Sequence, residues 1–278
     1  MEKMTSIERR LERLFRTPAE IVFHMPYNWD EGLERLDARD VEYAISALTC
    51  LDPQSTVIHD VTRGVFGGIE EYNYCPGVPL SDGGCQYMGQ NTFPASRDSD
   101  TVLVFAEPAR PDHPLLRGIF VKQAREVSDN PRNEILVLVG HGARSDTNDM
   151  HQERELANAA GYVERRMRFA DSAAFTARED WPDLQPAAIE KAVNGIKSML
   201  ARTGAQNVVL VPAIGSGSGF TAVAEALEQD GISFTEAPDP LPLGEREFIR
   251  WATLTVADTI QYIRDERPTE STVTPGWD

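Results

Sequence analysis

Apolar residues follow two rhythms along this chain, a helical spacing and short continuous runs, and the two alternate. Ile7, Leu11, Leu14 and Phe15 share one helical face and predict a helix over 7–15. Glu20–Met25 reads as a short strand closed by Pro26, and Asp30 as the N-cap of a helix reaching Leu36. Val41–Leu51 reads as a second strand and Thr56–Val65 as a helix. From Gly67 to Asp100 the chain is rich in Gly, Pro, Asn and Ser, which predicts a long irregular insertion. A strand follows at Thr101–Ala106, then a helix over His113–Val127 with Pro114 tolerated in its first turn. The second half repeats the alternation. Strands are predicted at Glu134–Gly140, Ser172–Ala177, Asn207–Ile214 and Ile232–Glu236. Helices are predicted at Asp149–Arg168, Leu184–Arg202 (with Gly204 as C-cap), Phe220–Gln229 and Leu243–Ile263. From Asp265 the tail is polar and reads as loose.

Strands alternating with helices imply an α/β fold: parallel sheets flanked by helices. The runs ILVLV (135–139) and VVLV (208–211) have no polar face, as expected of strands buried on both sides. Ligands of such sheets bind beyond the carboxyl ends of the strands. The residues just after these two runs are therefore the first candidates for function.

The alternation also carries a repeat. Phe23 laid over Phe175 brings Trp29 onto Trp181 without a gap. After one change of length Thr49 falls on Pro212, which sets the loop Asp52–Thr56 against the loop Gly215–Gly219. The chain thus reads as two similar lobes, 1–130 with an insertion at about 67–100, and 131–264, followed by a flexible tail over 265–278. The second lobe opens with a strand and the first with a helix, so the first lacks its opening strand. That absence leaves a sheet edge which a second copy of the chain could cover, giving a homodimer.

Composition narrows the partners. Of 278 residues, 41% are hydrophobic, enough for a sizeable core. With 27 Lys and Arg against 44 Asp and Glu, the net charge is −17, which argues against a nucleic-acid backbone as partner. No apolar run reaches the roughly 18–20 residues that span a bilayer, and the N-terminus lacks the apolar region of a secretion signal. Three cysteines, Cys50, Cys75 and Cys85, make no disulfide scaffold. A cytoplasmic protein without membrane contact is the expectation.

The first candidate site is Gly140-His141-Gly142-Ala143-Arg144, at the end of ILVLV. A histidine between glycines can ligate a metal or move a proton near neutral pH; it can equally be a histidine hydrogen-bonded in a turn. The second is Gly215-Ser216-Gly217-Ser218-Gly219-Phe220-Thr221, leading into a helix. Free amides at a helix start suit an anion such as a substrate carboxylate, although no P-loop lysine is present. In the first lobe Gln54 and Ser55 occupy the matching loop, with His59 just beyond. Cys75 and Cys85 lie in the long insertion at a spacing that is no recognised zinc pattern, and the insertion could build a pocket for a different enzyme.

The stretch Ile135–Arg144, together with Val208–Pro212 and its glycine loop, resembles the class II chelatases, the sirohydrochlorin cobalt- and iron-chelatases of cobalamin and sirohaem biosynthesis. The likeness covers about residues 134–263 well and 7–66 more faintly. It implies two chelatase-like lobes facing across a cleft that takes a tetrapyrrole. It implies a lyase that inserts a divalent metal ion, Co or Fe, as a substrate, with no organic cofactor. Histidines of the cleft would bind the metal and help remove pyrrole protons. His141 matches the histidine of the family's first strand. The family's second histidine falls on Phe220 here, and its first-lobe counterpart on Val57. The resemblance therefore implies His141 as catalytic residue and, with His59, as metal ligand. Arg144, Gln54, Ser55, Ser216, Ser218, Phe220 and Thr221 would line the ligand, with Gln54, Asp146 or Glu153 as further helpers. The substitution of Phe220 also allows a non-catalytic tetrapyrrole- or metal-binding protein on the same scaffold.

Overall fold

A strand made only of Ile, Leu and Val must be covered on both faces, and the structure is built around one such strand. It is a computed structural model, and it describes residues 13, 41–47, 71–73, 92–94, 101–144, 146–179, 181–213, 217–238, 246–269 and 272–274. In chain order the described strands and helices are β1 (Tyr43–Ser46), β2 (Glu71–Asn73), β3 (Thr92–Pro94), β4 (Val102–Phe105), α1 (Arg117–Val127), β5 (Glu134–Gly140), α2 (Asp146–Met167), β6 (Asp171–Thr176), α3 (Gln185–Thr203), β7 (Asn207–Pro212), α4 (Ser218–Gln229), β8 (Phe234–Glu236), α5 (Arg246–Glu266) and β9 (Thr272–Val273). The fold is α/β, with parallel sheets flanked by helices. The described residues fall into two compact units, one holding 109–251 and the other the described segments up to 108 and from 252 onward.

The unit 109–251 holds a four-stranded parallel sheet in the order β6-β5-β7-β8. Val137 of β5 stands opposite Ala173 on one side and Leu210 on the other. Every residue of β5 is buried. Side chains alternate between faces along a strand. Ile135, Val137 and Val139 join a core with Ala192 and Ile196 of α3 and Val223 and Leu227 of α4. The other face is covered by α2, where a side chain on Gly140 would collide with Leu156. Each fully buried leucine or isoleucine here contributes about 1.5–3 kcal/mol, so β5 and β7 anchor this unit.

In the other unit β4 pairs in parallel with β1 and with β9. The tail was expected to be loose from Asp265, but α5 runs to Glu266 and β9 adds to the sheet edge. Thr274 fastens this strand, giving both its backbone N–H and its hydroxyl to the Phe105 carbonyl at 2.9 and 3.1 Å. The expected irregular insertion likewise contains order: β2 and β3 pair antiparallel, Tyr72 opposite Phe93.

Most predicted elements of the second half agree with the structure within a few residues. The helix expected from His113 begins at Arg117 instead. Residues 113–116 form turns, in which the Leu115 N–H donates to His113 Nδ1 at 3.2 Å. Gly204 does end α3, with φ 74°. Of the repeat, Phe175 lies in β6 and Trp181 in the turn before α3, while Phe23, Trp29 and the region of the missing opening strand lie outside the described residues. Among the described residues no helix is long and apolar enough to cross a membrane.

Candidate functional site

The sheet order decides where the chemistry can be. From β5 the chain crosses to β6 on one side, and β7 then lies on the other. In a sheet of this order the carboxyl ends of β5 and β7 are where a ligand is expected to bind. His141 is the first residue past β5. α4 follows β7 in the chain and starts at Ser218.

A third loop reaches in from β6. Glu179 places Oε1 3.3 Å from His141 Nε2. Its other oxygen, Oε2, accepts the Gly219 N–H of α4 at 2.8 Å. Its backbone N–H donates to the His141 carbonyl at 3.3 Å. The carboxylate thus bridges the histidine and the amino end of α4, where the helix dipole favours negative charge. Gly217 and Gly219 permit this approach: a Cβ at either would run into Glu179, and at Gly219 also into the Ala177 Cβ at 2.5 Å.

The imidazole has an oxygen at each nitrogen. Nδ1 lies 2.9 Å from the Gly142 carbonyl oxygen, which can only accept, so Nδ1 carries a proton. Nε2 faces Glu179. The Trp181 ring packs edge-on against the imidazole at 5.8 Å between centroids, 89° between planes.

Beneath the histidine a polar cluster holds the loop. Gly142 has φ +94°, and a Cβ there would come within 2.7 Å of the Arg178 backbone nitrogen. The Gly142 N–H donates to Gln152 Oε1 at 2.6 Å, and the Ala143 N–H to Asp149 Oδ1 at 3.0 Å. Asp149 also accepts the Thr176 hydroxyl at 2.8 Å and pairs with Arg178 at 2.9 Å. Burial alone would lower the Arg178 guanidinium, but hydrogen bonds to Asp149 and Asp146 hold it above its ordinary value.

Of the residues expected at the site, His141 is the first residue past β5 and lies 3.3 Å from Glu179. Arg144 pairs with Asp183 through contacts of 3.3 and 3.4 Å. Ser218 and Thr221 are exposed on the first turn of α4. Phe220, expected to line a ligand, is buried in the core with Val139 and Val223, because the α4 face that packs on the sheet carries it. The expected helpers Asp146 and Glu153 are engaged elsewhere, with Arg178 at 2.7 Å and Lys191 at 2.6 Å respectively. Gln54, Ser55, His59, Val57, Ser216, Cys75 and Cys85 lie outside the described residues. Among the described residues no three His, Cys, Asp or Glu side chains converge on a metal position; His141 and Glu179 together supply one nitrogen and one carboxylate.

The glycine loop was expected to hold an external anion. Its Gly219 amide instead holds the chain's own Glu179. Glu179, Asp149, Gln152 and Arg178 were not singled out from sequence. The signal available for Glu179 was its place just past the carboxyl end of β6, the same rule that singled out His141 past β5.

No family profile and no curated protein matches this chain. Among solved structures it is similar to an ABC sugar transporter subunit from Rhodobacter sphaeroides 2.4.1, at 12% identity and a TM-score of 0.36, over 99% of this chain and 90% of that one. A likeness of that degree carries no argument about what this chain does.

Proposed function

We propose that this protein is a chelatase-like enzyme that inserts a divalent metal ion, cobalt or iron, into a sirohydrochlorin-type tetrapyrrole, on a scaffold of two similar lobes. The observation that carries this reading is the His141–Glu179 pair beyond the carboxyl ends of β5 and β6. Metal insertion needs two things from the protein: donors that hold the ion, and an acceptor for the two protons the macrocycle releases. An imidazole nitrogen and a carboxylate oxygen suit Co²⁺ or Fe²⁺. Nε2 and Oε1 must both be free of protons to hold the ion, so metal and protons compete for the same two atoms and binding weakens as pH falls. Between metal arrivals the same two groups can take a proton each from the macrocycle and pass it to water.

The test is to incubate the protein with sirohydrochlorin and Co²⁺ or Fe²⁺ and follow the absorption spectrum. A rate above the protein-free background is expected, falling by about 10²–10⁴ in His141→Ala. No rate above background, or an unchanged rate in His141→Ala, overturns the proposal.

A second reading has one specific observation in its favour. Phe220 stands where the resembled family has its second histidine, and its ring is part of the core, where it offers neither a ligand nor a base. A protein so altered would bind a tetrapyrrole or metal without turnover. Ligand titration that shows tight sirohydrochlorin binding with no metal insertion selects this reading over the first.

A further inference from the structure

We infer that Asp149 is the positioning residue for His141, acting through the peptide bond between Gly142 and Ala143. This deepens the reading of His141 as the reacting base and rests on it. The geometry is a chain of three contacts. Asp149 Oδ1 accepts the Ala143 N–H at 3.0 Å. The carbonyl of that same peptide, on Gly142, accepts the His141 Nδ1–H at 2.9 Å. At the far side of the ring, Nε2 meets Glu179 at 3.3 Å.

An anion on the N–H side of a peptide polarises it and makes its carbonyl a stronger acceptor. Asp149 therefore strengthens the bond that keeps the proton on Nδ1 and leaves Nε2 as the nitrogen turned to Glu179. The device is shielded and braced. Asp149 is only 4% exposed, so its hydrogen bonds compete little with water. Arg178 and Thr176 hold its carboxylate from two other directions. Gln152, fully buried, fixes the preceding peptide through the Gly142 N–H. The backbone of Arg178 closes the space that a side chain on Gly142 would need.

A purely structural Asp149 would stabilise the loop without affecting the imidazole proton. Asp149→Asn separates the two roles, because it keeps the shape and an acceptor oxygen but removes the charge. The experiment uses the full chain with ¹⁵N-labelled histidine at one fixed pH, with the His141 signals identified by their loss in His141→Gln. In the unaltered protein a protected Nδ1–H signal is expected. In Asp149→Asn its exchange with water should accelerate at least tenfold, with kcat for metal insertion falling in parallel and KM within twofold. Thr176→Val removes a different bond to the same carboxylate; it should lower thermal stability and leave Nδ1–H exchange within twofold of the unaltered protein. Wild-type exchange in a folded Asp149→Asn overturns the inference, as does equal acceleration in Thr176→Val. If Asp149→Asn does not fold, Arg178→Gln, which leaves the Asp149 charge without its counter-ion, decides on the same signal: slower Nδ1–H exchange supports the inference, and unchanged or faster exchange overturns it. Failure of the two proposals is distinguishable. A charge-dependent Nδ1–H signal without any metal insertion removes the chelatase reading alone, and metal insertion with an indifferent signal removes only the role of Asp149.

Discussion

The loops after β5 and β7 both follow a buried parallel strand and both contain glycine next to a functional-looking residue, yet they are held differently. The His141 loop is gripped by side chains from α2, with Gln152 and Asp149 each taking one of its amides. The entry to α4 is met from outside, by Glu179 arriving from the end of β6. The first arrangement fixes a side chain in place. The second supplies that side chain with a partner and uses a helix amino end to hold it. Glycine richness alone does not distinguish a loop that presents a residue from a loop that receives one; the neighbouring strand ends do.

That contrast can be broken in order of effect. Gly142→Ala should be the most damaging single change to stability. It puts a Cβ at φ +94° against the Arg178 backbone, and a cost of about 2–4 kcal/mol is expected. Chemical denaturation measures it; a loss below about 0.5 kcal/mol would show that the loop is not held as described. Glu179→Gln should leave the fold nearly intact, because the amide oxygen can still accept the Gly219 N–H. Metal insertion should nevertheless fall by about 10²-fold or more through loss of the charge beside Nε2. Near-native activity in this variant would detach Glu179 and the start of α4 from the chemistry. Gln152→Leu leaves the Gly142 N–H without its buried acceptor and should cost about 1–3 kcal/mol.

The smallest effect lies away from His141 and Glu179 and serves as a control for them. A hydrogen bond from Lys122 (2.8 Å) holds the Glu247 carboxyl below its ordinary value. The folded pKa is depressed, so this contribution is complete above the ordinary glutamate value of about 4.3 and is lost as pH falls through the lower folded value. The pair is partly exposed, so at neutral pH Lys122→Met should cost under about 1 kcal/mol. Melting curves of the two proteins should converge in acid below the folded value, with no accompanying change in activity. A difference that persists there would assign the effect to packing of the lysine stem.

Much of this architecture could be read from the chain because β5 and β7 are continuous apolar runs, and such runs have few other fates. His141 was legible for the same reason, since the end of an unmistakable strand locates the residue after it. Glu179 was not. Its strand, Asp171–Thr176, forms an edge of the sheet and is mostly half-buried, and Arg178-Glu179-Asp180 reads as an ordinary solvated charge run. The burial of Phe220 was not legible because spacing along a loop does not say which face of the next helix a residue joins; its place in the core is set by how α4 packs. Thr272–Val273 escaped notice because a two-residue strand carries no periodicity. The cluster around Asp149 is a product of tertiary contact, joining residues from α2, β6 and the loop after β6 that no local pattern links.

The central claim is that His141 and Glu179 act as one unit, and a double-mutant cycle on metal insertion tests it most directly. Rates with sirohydrochlorin and Co²⁺ would be compared for the unaltered protein, His141→Ala, Glu179→Gln and the double variant. Residues that work as a unit lose their joint contribution once either is removed. The double variant is therefore expected to be no slower than the worse single variant, within about threefold. Losses that multiply, each variant acting as though the other residue were unchanged, would contradict a joint role for the pair.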